Sequence, residues 1–167
     1  MSDKQQHQVP EGFVAVPSGL GFTDLMQPAS PRQNGAPRSS GTLPHQQHGP
    51  SRGIAPGGVS MTLADQGAAS PINPVRGILS GAPTVNLSLD FITSAHIGEW
   101  LQTEAEHISV KRRFGFSSGV IRSSRGVVAR FNGTFYFPDH EGLKRGDGQG
   151  MGVLGAMKIQ REHESRD

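Results

Sequence analysis

Cysteine is absent from the 167 residues, which excludes disulfides, thiolate nucleophiles and thiolate metal sites and leaves the redox compartment open. Aromatic residues make up 6% and apolar residues 34%, so any packed core must be modest and diluted by unpacked chain. Long hydrophobic runs are missing: none approaches the roughly 18 apolar residues of a membrane span. The opening "MSDKQQHQVPEG" has no apolar stretch of the kind a secretory signal needs. Charge of one sign is lacking too, because a net +2 gives no reason to expect a nucleic-acid partner. These absences predict a cytoplasmic protein with neither a membrane nor a nucleic-acid partner.

Glycine (23) and proline (12) are plentiful. Residues 1–52 read as a polar, largely irregular region, with a possible short helix at 20–26 where Phe22, Leu25 and Met26 share helical spacing. From Gln27 to Arg52 almost nothing is apolar, and this stretch reads as a long loop or disordered segment. Residues 53–138 carry the patterned sequence. Residues 139–167 are charged and Gly-rich and read as a tail, in which Met151–Ile159 is a marginal helix.

Within 53–138, "GVSMTLADQGAAS" places Val59, Leu63 and Gln66 on one helical stripe, with Met61, Ala64 and Ala68 beside it. Pro71 and Pro74 stop the helix because proline lacks the N–H and clashes with the preceding turn. Small residues along it allow other backbone to come close, which suits a helix covered by a sheet. "PTVNLSLDF" alternates cleanly, with Val85, Leu87, Leu89 and Phe91 on one face and Thr84, Asn86, Ser88 and Asp90 on the other. "EWLQTEAEHISVKR" is a second strand whose phase slips near His107, which predicts a bulge. "FGFSSGVIR" and "VVARFNGTFYF" are two more, joined by the turn "SSRG". One helix followed by a four-stranded antiparallel meander predicts an α+β layer pair. Phe114, Phe116, Phe131, Phe135 and Phe137 are expected in its core.

"GIAPGGVSMTLAD", followed by "PTVNLSLDFITSAHIGEWLQTEAEHISVKRRFGFSSGVIRSSRGVVARFNGTFYF", resembles the PaaI-type branch of the hotdog-fold acyl-CoA thioesterases. The resemblance runs from about Gly53 to Pro138. It implies a hotdog fold, in which an antiparallel sheet wraps a central helix, and a homodimer or homotetramer in which two sheets pair edge to edge with the sites at the interface. It implies an acyl-CoA substrate and neither cofactor nor metal. It also puts Asp65 at the family's catalytic carboxylate, where it activates water or attacks the thioester itself.

The chemistry is consistent with the residue types. A helix N-terminus offers free N–H groups and a positive dipole end, and Gly57 and Gly58 have no Cβ to keep a thioester carbonyl away. The same glycines would also serve a close helix–sheet contact. Asp65, a carboxylate among small apolar residues, is either on a wet face or in a site. Lys111, Arg112 and Arg113, with Arg122, Arg125 and Arg130, form the densest basic region, suited to CoA phosphates or to a solvated hairpin. Asn86 is a candidate to face a neighbour's site.

Two positions depart from the family: Pro56 stands where it has histidine, and Pro50 where it often has asparagine. Either His48, Asn86 or Ser60 takes over those roles, or turnover is weak or absent. "HGPSRGIAPG" also resembles the His-x-Pro-x-x-Pro-x-x-Pro-Gly stretch of hotdog dehydratases, matching at His48, Pro50, Pro56 and Gly57. Thr62, however, stands where those enzymes carry the helix acid. The alternatives to a thioesterase are therefore a dehydratase or hydratase using His48, or a non-catalytic acyl-CoA-binding homologue. "HQQH" (45–48) has no third ligand nearby and reads as solvated loop rather than a metal site.

Overall fold

A computed structural model describes residues 9–19, 21–26, 29–31, 39–45, 53–77 and 81–137. The elements in chain order are β1 (Phe13–Ala15), α1 (Phe22–Leu25), β2 (Ala29–Pro31), β3 (Gly41–Thr42), α2 (Gly57–Ala69), a 3-10 turn (Pro74–Arg76), β4 (Thr84–Phe91), β5 (Leu101–Lys111), β6 (Phe114–Ser123) and β7 (Gly126–Tyr136). The strands form one antiparallel sheet in the order β1-β2-β3-β5-β6-β7-β4. The helix α2 packs against β3, β4, β5, β6 and β7, so the sheet curls around it as in the hotdog fold. No described helix is long and apolar enough to cross a membrane.

The core lies between α2 and the inner face of the sheet. Leu63, Ala64 and Ala68 of the helix are fully buried, as are Leu101, Ile121, Phe131 and Phe135 of the strands. Each of the larger side chains contributes about 1.5–3 kcal/mol by leaving water. Gly67 makes the close approach possible, because a Cβ there would run into the side chain of Thr103 on β5. Thr103 is itself occupied, accepting the Ser40 amide at 2.8 Å just before β3.

Three differences from the sequence reading have physical causes. First, the stretch 27–52 contains strands β2 and β3, only three and two residues long. They join the sheet by backbone pairing, which needs no apolar alternation and leaves no period to detect. Second, Phe114 and Phe116 lie on the outer face, 41% and 42% exposed, where their rings contact each other and Phe114 also meets Tyr136. The inner positions of that part of β6 belong to Gly115 and Ser117, because a Cβ on Gly115 would strike Ile72 and Phe137. Phe131, Phe135 and Phe137 are buried as expected. Third, β4 carries a bulge at Val85, between Thr84 and Asn86. The bulge expected near His107 is present, between Ala105 and His107.

Candidate functional site

The helix α2 begins without a side-chain cap. Pro56 is its N-cap residue, has extended backbone dihedrals, and offers no side chain that accepts from the first turn. The Val59 amide turns back to the Pro56 carbonyl at 3.0 Å. Among the described residues, no acceptor is paired with the Gly57 or Gly58 N–H, so both donors stay available at the positive end of the helix. The two glycines differ in their surroundings. The Phe91 ring lies over Gly57, 3.0 Å from where a Cβ would be, whereas a Cβ on Gly58 would meet nothing within 4 Å. A planar group has room to reach the backbone at Gly58.

Asp65 sits two turns further along the same helix, half-buried. The Thr84 hydroxyl donates to its Oδ1 at 2.7 Å. The bulge makes this bond possible. In an unbroken strand Thr84 and Asn86 share a face, but here Thr84 pairs with the inward Phe135 while Asn86 pairs with Thr134. Thr84 therefore turns toward α2, and Asn86, Ser88 and Asp90 turn away from it. A sequence reading that puts Thr84 on the polar outer face misses this bond, because a bulge at Val85 leaves no mark on an otherwise perfect alternation.

The two ends of the site are well separated within one chain. Gly57 lies beside Phe91 at the end of β4, and Asp65 lies beside Thr84 at its start. The eight steps along the helix from Gly57 to Asp65 correspond to about 12 Å of rise. The sheet edge that runs between these ends is β4, the last strand in the sheet order. Around that edge Val85, Phe91 and Ile92 are more than half exposed, with Ile54 and Met61 also open.

The remaining candidates divide by position. Asn86 is exposed on the sheet face opposite Asp65. Lys111, Arg112 and Arg113 form the exposed β5–β6 turn, at the same end of the sheet as Thr84. There Phe137 N donates to Arg113 O at 2.7 Å and Tyr136 N to Pro83 O at 2.9 Å. Arg122 and Arg125 are not part of that patch. Arg122 binds Glu104 at 2.6 Å and Arg125 binds Glu99 at 2.7 Å. Arg125 and the hydroxyls around it hold the Glu99 carboxyl at about 2, below its ordinary 4.5, against the opposing effect of burial. Ser60 is buried in the helix. His48 and Pro50 lie outside the described residues. Among the described residues no three His, Asp or Glu side chains group as metal ligands would.

Comparison with known proteins agrees with the fold. The profile of the thioesterase superfamily matches residues 52–130. A Pseudomonas aeruginosa protein named an esterase is 32% identical over 134 residues, covering 78% of this chain and 98% of its own. Among solved structures, a mutant of the phenylacetic acid degradation protein PaaI from Thermus thermophilus aligns with a TM-score of 0.54 at 21% identity, over 76% of this chain and 94% of that one. A Streptococcus mutans protein solved with acetyl-CoA aligns with a TM-score of 0.52 at 19% identity, over 60% and 79% of the two chains. With the central helix, the curled antiparallel sheet and these relatives taken together, the chain has the hotdog fold and belongs to the thioesterase superfamily.

Proposed function

We propose that the protein hydrolyses an acyl-CoA thioester to a carboxylic acid and free CoA, as a homodimer whose sites are each built from both protomers. The observation that carries this reading is the division of the chemistry between the ends of β4: a carboxylate held by Thr84 at one, bare glycine amides at the other. One carbonyl group needs both within about 3 Å of its own atoms, and about 12 Å of helix separates them in one chain. Antiparallel pairing of β4 with β4 of a second copy about a two-fold axis sets the Thr84 end of one protomer against the Phe91 end of the other. That pairing also covers an exposed, apolar sheet edge.

In this arrangement the Gly57 and Gly58 amides of one protomer donate to the thioester oxygen as negative charge develops on it. Asp65 of the other takes a proton from the attacking water, with Thr84 fixing which carboxylate oxygen is free. The water oxygen bonds to the carbonyl carbon, the C–S bond breaks, Asp65 returns its proton to the departing CoA thiolate, and the product acid loses its own proton to solvent and leaves as carboxylate. Lys111, Arg112 and Arg113, at the Asp65 end, offer charge to the phosphates of CoA. Asn86 faces away from Asp65 and has no place in this scheme.

A second reading, acyl-CoA binding without turnover, draws on Pro56, which supplies no polar side chain to the thioester. A dehydratase has less support: the Thr62 hydroxyl, at the position such an enzyme gives to an acid, donates to the Gly58 carbonyl at 2.9 Å. Thiol release from a panel of short-chain, long-chain and aryl acyl-CoAs separates the first two. The proposal expects release by the parent and its loss in Asp65→Asn with an unchanged circular dichroism spectrum. Calorimetric binding with no thiol release across the panel would establish the second reading instead.

A further inference from the structure

The amides of Gly57 and Gly58 depend for their position on a segment with few attachments of its own. Residues 53–55 lead directly into α2, and their backbone bonds run to the loop 92–100: Ala55 N donates to Ala95 O at 2.9 Å and Ile97 N to Gly53 O at 2.9 Å, with Ile54 bridged to His96. Pro56 follows, with no N–H of its own and no capping side chain to stiffen the start of the helix. The loop 92–100 is fixed at its beginning by Ile92 and Thr93, whose amides both reach Val128 O, and toward its end by Gly98 N on Pro44 O at 2.7 Å.

Ala95 and Ile97 pack against the core in between, and side chains of the β6–β7 turn add a polar tie. Arg125, in the β6–β7 turn, grips Glu99 through two nitrogens: Nη2 to Oε2 at 2.7 Å, and Nε to Oε1 and Oε2 at 3.1 and 3.2 Å. The same guanidinium donates to Ser94 O at 3.4 Å, and Ser124 Oγ donates to Glu99 Oε1 at 2.9 Å. Arg125 therefore ties Ser94 to Glu99, the span that carries Ala95, His96 and Ile97. Exposed single ion pairs hold little, but this one is forked, and the Glu99 side chain is only 12% exposed.

We propose that Arg125 is a positioning residue for the proposed oxyanion donors, acting through Glu99 and Ser94 on the loop 92–100, and through that loop on residues 53–55 and the Gly57 and Gly58 amides. The inference rests on the reading of those amides as the thioester's donors, and it makes the β6–β7 turn part of the site's support. Lysine at 125 would keep the charge but not the fork.

The test uses the full-length chain with Arg125→Gln and Arg125→Lys, read by amide hydrogen exchange and by kinetics on the acyl-CoA that the parent turns over fastest. In Arg125→Gln, exchange at residues 53–60 should rise about tenfold while that of β5–β7 stays at the parent's level, as expected for local rather than global opening. The kcat should fall about tenfold with KM within about twofold, the pattern of an interaction made mainly in the transition state. Arg125→Lys should lie between. Unchanged exchange at 53–60, exchange raised throughout the sheet, or a KM effect with kcat intact would each overturn the proposal. If the parent releases no CoA from any substrate, the thioesterase reading fails by that result alone, and the exchange data still decide whether Arg125 holds the entry to α2.

Discussion

The two ends of β4 are built from opposite materials. At its start the chain is polar and tied: Asp65 and Thr84 face each other across a 2.7 Å hydrogen bond, made possible by a bulge that turns one threonine around. At its end the chain is bare and apolar: two glycines with open amides, the Phe91 ring, and exposed Ile92 and Ile54 nearby. One end presents a carboxylate with a single hydroxyl donor on it, and the other presents backbone donors with no carboxylate beside them among the described residues. A helix long enough to fill the curled sheet necessarily holds them apart, so on the proposed reading the same feature that stabilises the fold divides the site between two protomers.

The comparison can be broken from either end. The largest effect is expected at Asp65, where replacement by asparagine should cut kcat by about a hundredfold or more, the scale of a lost general base, with the thermal midpoint little changed. Thr84→Val removes the donor and leaves the carboxylate free to turn. We expect about a tenfold loss of kcat, equivalent to about 1.4 kcal/mol, with urea stability within about 1 kcal/mol of the parent. Two glycines of the same helix should respond in opposite directions to alanine. At Gly67 the methyl collides with Thr103, and stability should drop by about 1–3 kcal/mol in urea titrations. At Gly58 the methyl enters open space, so stability should hold or rise by up to about 1 kcal/mol through helix propensity while kcat/KM falls. The smallest effect concerns Glu99. Its carboxyl titrates at about 2 in the folded chain against an ordinary 4.5. A depressed folded value means stability that is fully present above pH about 4.5 and lost as pH falls toward about 2. Urea midpoints of the parent and Glu99→Gln should therefore converge across that window and stay apart above it.

Much of this was legible from residue order. The prolines at 71 and 74 end the helix where expected, at Ala69. The period-two strands appear, and the phase slip near His107 marks a real bulge, but only β5, β6 and β7 follow one another as a meander: β4 crosses over to pair with β7 instead of β5, a choice that its alternation does not encode. The motif around Gly57, Gly58 and Asp65 pointed to the family that the relatives confirm. What stayed hidden belongs to pairing rather than pattern. The strands β2 and β3 are too short to show a period, and they are held by neighbours distant in sequence. The bulge at Val85 sits inside a perfect alternation, so Thr84 looked outward when it faces Asp65. The basic cluster read as one region splits in space, because the length of β6 separates Lys111, Arg112 and Arg113 at one end from Arg122 and Arg125 at the other, where Glu104 and Glu99 pair with them.

Mixing two inactive variants shows whether the site is shared between protomers. Asp65→Asn and Gly58→Val each damage one half-site in every protomer. If the sites are composite, a mixed dimer contains one site with both defects and one with neither. Random exchange of protomers makes about half the dimers mixed, so about a quarter of the parent's thiol-release activity should return. If each chain carries a complete site of its own, every site in the mixture holds one defect, and the activity will not exceed the average of the two variants measured alone.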